Sequence, residues 1–213
     1  CHNTSRNSYR NYGFKCFEKI MKKIIILLLL LSFNASALNI KDIKFLNSEG
    51  KEVDISQIDS EIIFEWSNLE CPYVKRHYGS NNMQTTQKFA KSKNVIWITV
   101  ISSAEGKQGY IQPNDAVNTF ASFGSFPDHI LVDKNGDLGK KFNAKTTPHI
   151  FIADKNKDIV YQGAIDDAGG TRFWTTDLNQ SINFVKKVVN DIKSNKPLSV
   201  SKTRPYGCSV KYG

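Results

Sequence analysis

Apolar residues along this chain fall into short runs separated by polar turns, with one longer run near the start. From Met21 the sequence reads Met21-Lys22-Lys23, then the apolar stretch Ile24 to Leu31, then Ser32-Phe33-Asn34-Ala35-Ser36-Ala37. A basic start, a short apolar core and a small-x-small ending mark a secretory leader. The run is shorter than the roughly 20 apolar residues that cross a bilayer. Residues 21–37 are therefore expected to be removed after Ala37, an uncleaved anchor being the alternative. Cys1 to Ile20 has no periodicity and reads as upstream codons translated ahead of a start at Met21.

Beyond Ala37 the pattern predicts alternating strands and helices. Ile40 to Leu46, the turn Asn47-Ser48-Glu49-Gly50 and Val53 to Ile55 read as a hairpin. Ile62 to Trp66 is a short buried strand, with Trp66 expected in the core. Tyr73, Val74, Tyr78, Met83 and Phe89 then recur at roughly helical intervals up to Lys91. Val95 to Ile101 is apolar on both faces except at Thr99, as a central parallel strand would be. Pro113 to Phe123 predicts a helix and Ile130 to Val132 a strand, closed by the Asn-Gly turn of Lys134 to Asp137. Ile150 to Ala153 and Ile159 to Tyr161 pair as an antiparallel hairpin. Leu178, Ile182, Val185, Val189 and Ile192 form one stripe of a last helix, capped by Thr175, Thr176 or Asp177. The order predicts an α/β three-layer sandwich with a central mixed sheet, an N-terminal β-hairpin and a C-terminal tail. One domain over residues 38–195 and a tail over 196–213 account for the mature chain.

Composition narrows the function. The net charge of +9 over 213 residues suggests nucleic acid until its placement is seen. Six of the 29 basic residues and one of the 20 acidic ones lie in the first 37 positions, leaving 23 against 19 without a basic run. Nucleic acid is not expected as a partner, nor is a membrane for the mature form. Beyond the leader only two cysteines remain, Cys71 and Cys208, in an oxidising compartment where a disulfide persists.

Cys71 carries the clearest chemistry. It follows a strand and precedes Pro72, which is favoured at the first position of a helix. A helix N-terminus presents free N–H groups and partial positive charge, which favour thiolate over thiol. The thiolate is the species that attacks disulfides and peroxides. The plainer reading is a small buried apolar side chain. Cys71, His77 and Met83 offer soft donors for copper, but six-residue steps set them on different faces of a helix. His129 and His149 stand at strand starts as structural residues. Asp166-Asp167, before Ala168-Gly169-Gly170, reads as a solvated, flexible loop, coordination of a cation being the alternative. No phosphate-cradling loop, nucleophile elbow or zinc spacing occurs, so neither cofactor nor metal is expected.

Ile63-Phe64-Glu65-Trp66 leading to Cys71-Pro72-Tyr73-Val74 resembles the active-site strand and turn of thioredoxin-fold proteins. Thr146-Thr147-Pro148-His149-Ile150-Phe151 resembles the loop in which a cis-proline faces the cysteine. Together with Ile165-Asp166-Asp167 and Arg204-Pro205-Tyr206-Gly207-Cys208, these pieces are similar to the redoxin group of secreted peroxiredoxin-like proteins, related to alkyl hydroperoxide reductases and thiol-specific antioxidants. The resemblance runs from about Asn39 to Tyr212. It implies a cis Pro148 after Thr147 that holds substrate backbone beside Cys71 and blocks metal binding there. It also implies a buried acid at Glu65 that helps move protons, against a surface glutamate at a strand end. Two departures stand out. Val74 occupies the position of the second cysteine of Cys-x-x-Cys, and Asn68 stands where peroxiredoxins carry threonine or serine.

Three functions follow from these readings. The first is a periplasmic or secreted thiol–disulfide oxidoreductase, with Cys71 as nucleophile and Cys208, on a flexible tail, as resolving partner. Its partners would be protein or small-molecule disulfides and thiols, with a separate electron donor. The second is a peroxidase in which Cys71 becomes a sulfenic acid before Cys208 condenses with it. The third is a non-catalytic binding module stapled by Cys71–Cys208. Closing a loop of that length would contribute roughly 4–5 kcal/mol in the chain-entropy model.

Overall fold

The structure is a computed structural model and describes residues 38–213; the predicted leader and the segment before it lie outside the described residues. The hairpin forms as β1 (Lys44–Leu46) and β2 (Glu52–Asp54), paired antiparallel. β3 (Ile62–Trp66), β4 (Ile96–Ile101) and β5 (His129–Val132) run parallel. β7 (His149–Ala153) and β8 (Ile159–Gly163) are antiparallel to each other, and β7 is antiparallel to β3. The five-stranded sheet has the order β5-β4-β3-β7-β8. This is the mixed sheet of a thioredoxin-like fold.

All five residues of β3 are buried, which a strand reaches when both its faces are covered. Ile63 faces one apolar layer with Val74, Met83, Trp97, Phe120 and Val188, drawn from four helices and the sheet. Phe64 and Trp66 face the other, with Ile98, Phe142, Phe151 and the hairpin's Val53. The period of two along a strand therefore sorts neighbouring residues into the two outer layers of the sandwich. Trp66 takes its expected core place, 4.9 Å from the Phe142 ring.

Three elements differ from expectation. The stretch after Cys71 is two helices, α1 (Pro72–Gly79) and α2 (Asn82–Ser92), because Asn81 adopts a left-handed conformation that ends the first. The helix α3 (Pro113–Ser122) is as predicted, and the Asn-Gly turn follows β5 as expected. Beyond it Gly136, at φ +71°, opens a short helix that the pattern did not show, α4 (Asp137–Phe142). The last helix, α5 (Phe184–Lys193), begins six residues later than the stripe suggested. Asn183 caps it by accepting from the Lys186 amide, while Asp177 caps only the 3₁₀ turn Leu178–Gln180. Ile182 is consequently exposed and Leu178 packs in a separate small cluster with Phe173.

The tail folds back on the domain, as a resolving role for Cys208 requires, and residues 199–213 lie along it. The Thr203 hydroxyl accepts from the Ala164 amide at 2.9 Å and lies 2.7 Å from the Tyr161 hydroxyl. β9 (Cys208–Ser209) pairs antiparallel with the two-residue β6 (Thr146–Thr147). Beyond it the Val210 amide donates to Lys145 O at 3.1 Å, and the Tyr212 hydroxyl to Ala144 O at 2.8 Å.

Candidate active site

Cys71 is the N-cap of α1, in extended backbone conformation, and its carbonyl accepts the first helical bond from the Lys75 amide at 2.9 Å. Pro72 holds the first helical position, where the lack of an N–H leaves nothing unpaired. The placement at a helix start is as predicted. The side chain is fully buried, as the plainer reading of Cys71 had it, and is not open to an electrophile in this arrangement.

The tail supplies part of its cover, packed with Cys208 against the core cluster that holds Cys71. Register pairing sets Cys208 opposite Thr147, and the two sulfurs lie 2.6 Å apart. A disulfide spans about 2.05 Å, so both thiols stand within a few tenths of an ångström of bonding distance. The Cys71 S–H donates to Thr147 O at 3.1 Å. Thr147-Pro148 is cis, as the resemblance implied. The pKa of Cys208 is pushed up to about 12, by burial first and then by the Cys71 sulfur. Cys208 therefore stays a neutral thiol across the physiological range.

Glu65 resolves in favour of burial but not of proximity to the sulfurs. Its carboxylate accepts from Trp97 Nε1 at 3.0 Å, Tyr78 Oη at 3.1 Å and Thr99 Oγ1 at 3.2 Å. Burial raises its pKa above the ordinary value, against the pull of these donors. Among the described residues no hydrogen bond joins Glu65 to Cys71 or Cys208.

Four residues near the cysteines were given no part in the thiol chemistry. His77 on α1 and Asp166 after β8 have wholly buried side chains, so the solvated loop expected for Asp166 is corrected. Asn82 opens α2, and Tyr206 lies two residues before Cys208. Tyr206 donates its hydroxyl to Asp166 Oδ1 and lies 3.1 Å from His77 Nε2. Asn82 Nδ2 donates to Asp166 Oδ2 at 2.9 Å and lies 3.0 Å from His77 Nδ1. Burial, then the neighbouring Arg76, lowers the His77 pKa to about 3. A neutral ring completes the circuit: Nε2–H donates to the Tyr206 oxygen while Nδ1 accepts from Asn82. Asp166 and Tyr206 stand in the Ile165-Asp166-Asp167 and Arg204-to-Cys208 pieces, which only the fold brings into contact.

A cysteine at the start of the helix after the first central strand, facing a cis-proline loop, defines a thioredoxin-like thiol protein. The redoxin family model matches residues 35–176. The chain belongs to the Redoxin family and is a thiol-dependent oxidoreductase in kind. Among solved structures it is similar to an uncharacterized conserved protein from Geobacillus kaustophilus, at 19% identity and a TM-score of 0.70, covering 84% of this chain and 94% of that one. A hypothetical protein from Sinorhizobium meliloti 1021 matches at 17% identity and a TM-score of 0.67, over 84% and 97% of the two chains. These likenesses support the fold. No curated protein sequence matches. Among the described residues no helix is long and apolar enough to cross a membrane, and no group of metal-ligating side chains forms.

Proposed function

We propose that this protein is a thiol–disulfide oxidoreductase of the periplasm or extracellular space, with Cys71 as nucleophile and Cys208 as resolving cysteine. The export reading rests on the leader pattern of residues 21–37. The observation that carries the chemistry is the 2.6 Å separation of the two sulfurs at the start of α1. The Cys71 thiolate attacks a substrate disulfide, and one substrate thiol leaves with a proton. Cys208, deprotonated as it reacts, attacks the Cys71 sulfur of the mixed disulfide and releases the second thiol. Two electrons have then passed to the substrate, and Cys71–Cys208 is the oxidised product. An external dithiol restores it.

The tail must lift from Cys71 before a substrate enters, since the sulfur is buried beneath it. Pro72 starts the helix, and the Thr147 carbonyl before cis-Pro148 offers a backbone acceptor to whichever strand lies opposite. Beside the tail opens a cleft of about 640 Å³ lined by Tyr73, Thr146, Asp167, Phe184, Arg204 and Tyr206. Its size suits a peptide segment or a small disulfide.

The test is disulfide reduction by the purified protein, using insulin or glutathione disulfide, for wild type, Cys71→Ser and Cys208→Ser. Cys71→Ser should abolish turnover, and Cys208→Ser should accumulate a mixed disulfide on Cys71 by mass spectrometry. Activity retained in Cys71→Ser defeats the assignment. Peroxide consumption exceeding disulfide reduction would favour the peroxidase. Complete burial of Cys71 supports a second reading, the stapled binding module. A Cys71–Cys208 bond that survives mild reductant in peptide maps would select it.

A further inference from the structure

The ring of hydrogen bonds joining Tyr206, Asp166, Asn82 and His77 lies outside the chemistry assigned to the sulfurs. It connects four separate parts of the chain: the tail, the loop after β8, the start of α2, and α1 itself. Every donor in it has one acceptor. The Tyr206 hydroxyl donates to Asp166 and accepts from His77; Asn82 donates its two amide protons to Asp166 and to His77. The Ala168 amide supplies a further donor to Asp166 Oδ1 at 3.0 Å, which fixes the carboxylate within its own loop. The Tyr206 ring packs on Phe173 at 5.4 Å and Tyr73 at 6.1 Å, so the phenol is held by its face as well as its tip. Gly169 lets it approach, since a Cβ there would lie 2.6 Å from the Tyr206 ring.

His77 belongs to the helix whose N-cap is Cys71, and Tyr206 lies two residues before Cys208. The ring therefore ties both cysteine-bearing segments to one buried carboxylate. The two-residue pairing holds Cys208 itself, with the Thr203 bonds upstream and the Val210 and Tyr212 bonds downstream; between Thr203 and Cys208 the tail's side-chain hold on the Cys71 helix is Tyr206. We propose that Tyr206 is a positioning residue: through Asp166, Asn82 and His77 it anchors the tail to the Cys71 helix and sets the effective concentration of the Cys208 thiol at Cys71.

The measurement is equilibration of the full protein in glutathione redox buffers. Cys71 and Cys208 lose two protons and two electrons as their bond forms, and glutathione disulfide is reduced to two glutathione thiols. The equilibrium constant reports the effective concentration. Tyr206→Phe keeps the ring packing and removes the hydroxyl. It should lower that constant about tenfold, a step corresponding to loss of one buried hydrogen bond. Asp166→Asn should act in the same direction. Ser125→Ala removes a buried hydroxyl without contact to the tail and should lower stability while leaving the constant unchanged.

This arm rests on the resolving role proposed for Cys208. A second arm does not: with both thiols reduced, Tyr206→Phe should speed Cys71 alkylation about tenfold by releasing its cover. If the wild type forms no Cys71–Cys208 bond, the resolving role falls while alkylation still decides the anchor. If Tyr206→Phe and Asp166→Asn leave alkylation within twofold of wild type, the anchor is overturned.

Discussion

A Cβ placed on Gly207 would lie 2.1 Å from the carbonyl oxygen of Thr147, and Gly207 itself has φ +142°. Both facts follow from the tail crossing close over the residue before cis-Pro148 so that Cys208 can face Cys71. Gly207→Ala must displace backbone, not a flexible side-chain end. Holding a non-glycine residue in such a conformation costs about 1–3 kcal/mol. Urea unfolding should show that loss, or the tail should detach and Cys71 become alkylated faster. A variant as stable as wild type, with Cys71 still protected, would mean that the crossing is looser than this geometry.

The cover over Cys71 makes a second expectation. In the reduced protein at neutral pH, Cys71 should react slowly with an alkylating reagent because its side chain is fully buried. Removing residues 204–213 takes away Cys208 and β9 together and should raise the rate at least tenfold. Mass mapping of the labelled peptide checks this, with circular dichroism confirming that the five-stranded sheet survives. Unchanged protection would place the barrier in the domain itself.

Legibility in the sequence followed the physics of each element. β3 and β4 were readable because strands covered on both faces are continuous apolar runs, and α3 because Pro113 marks its start. The start of α5 was misplaced because Leu178 and Ile182 fall at helical spacing by coincidence. One packs under a 3₁₀ turn and the other faces solvent. The short helix α4 was not legible because an Asn-Gly pair that ends a strand in a turn can equally open a helix at the level of backbone angles. At the site, Cys71, Pro72 and Pro148 were legible as local motifs. The Tyr206 ring was not, since its four members span residues 77 to 206 and only folding makes them neighbours.

Glu65 supplies a prediction with a definite sign. Its folded-state pKa is raised, chiefly by burial, so the native state holds the proton more tightly than the unfolded chain. Its contribution to stability is fully present below the unfolded value near 4.5 and is lost as pH rises through the folded value. Glu65→Gln should flatten that decline in urea titrations above pH 4.5. Glu65→Ala should cost more, about 1–3 kcal/mol for each donor left unpartnered at Trp97 and Thr99. A wild type and Glu65→Gln pair with parallel pH profiles would show that the carboxyl titrates normally.

His77 gives the opposite slope. Its pKa falls to about 3 in the folded protein, mainly through burial, against an ordinary value of 6.5. Between these values the unfolded chain binds a proton that the native state refuses, so stability rises with pH and is lost as pH falls from 6.5 toward 3. The facing groups bear on the result: Asp166 Oδ2 lies 3.9 Å away, and burial raises its own pKa, which works in the other direction. His77→Gln removes the imidazole while leaving Asp166 in place. The stability advantage of wild type over this variant should therefore shrink on acidification, by up to about 1.4 kcal/mol per pH unit. Urea unfolding at steps between pH 6.5 and 4 measures the difference directly. Were the advantage to grow instead, His77 would be protonated in the fold and paired with Asp166, and the neutral ring linking it to Tyr206 would have to be redrawn.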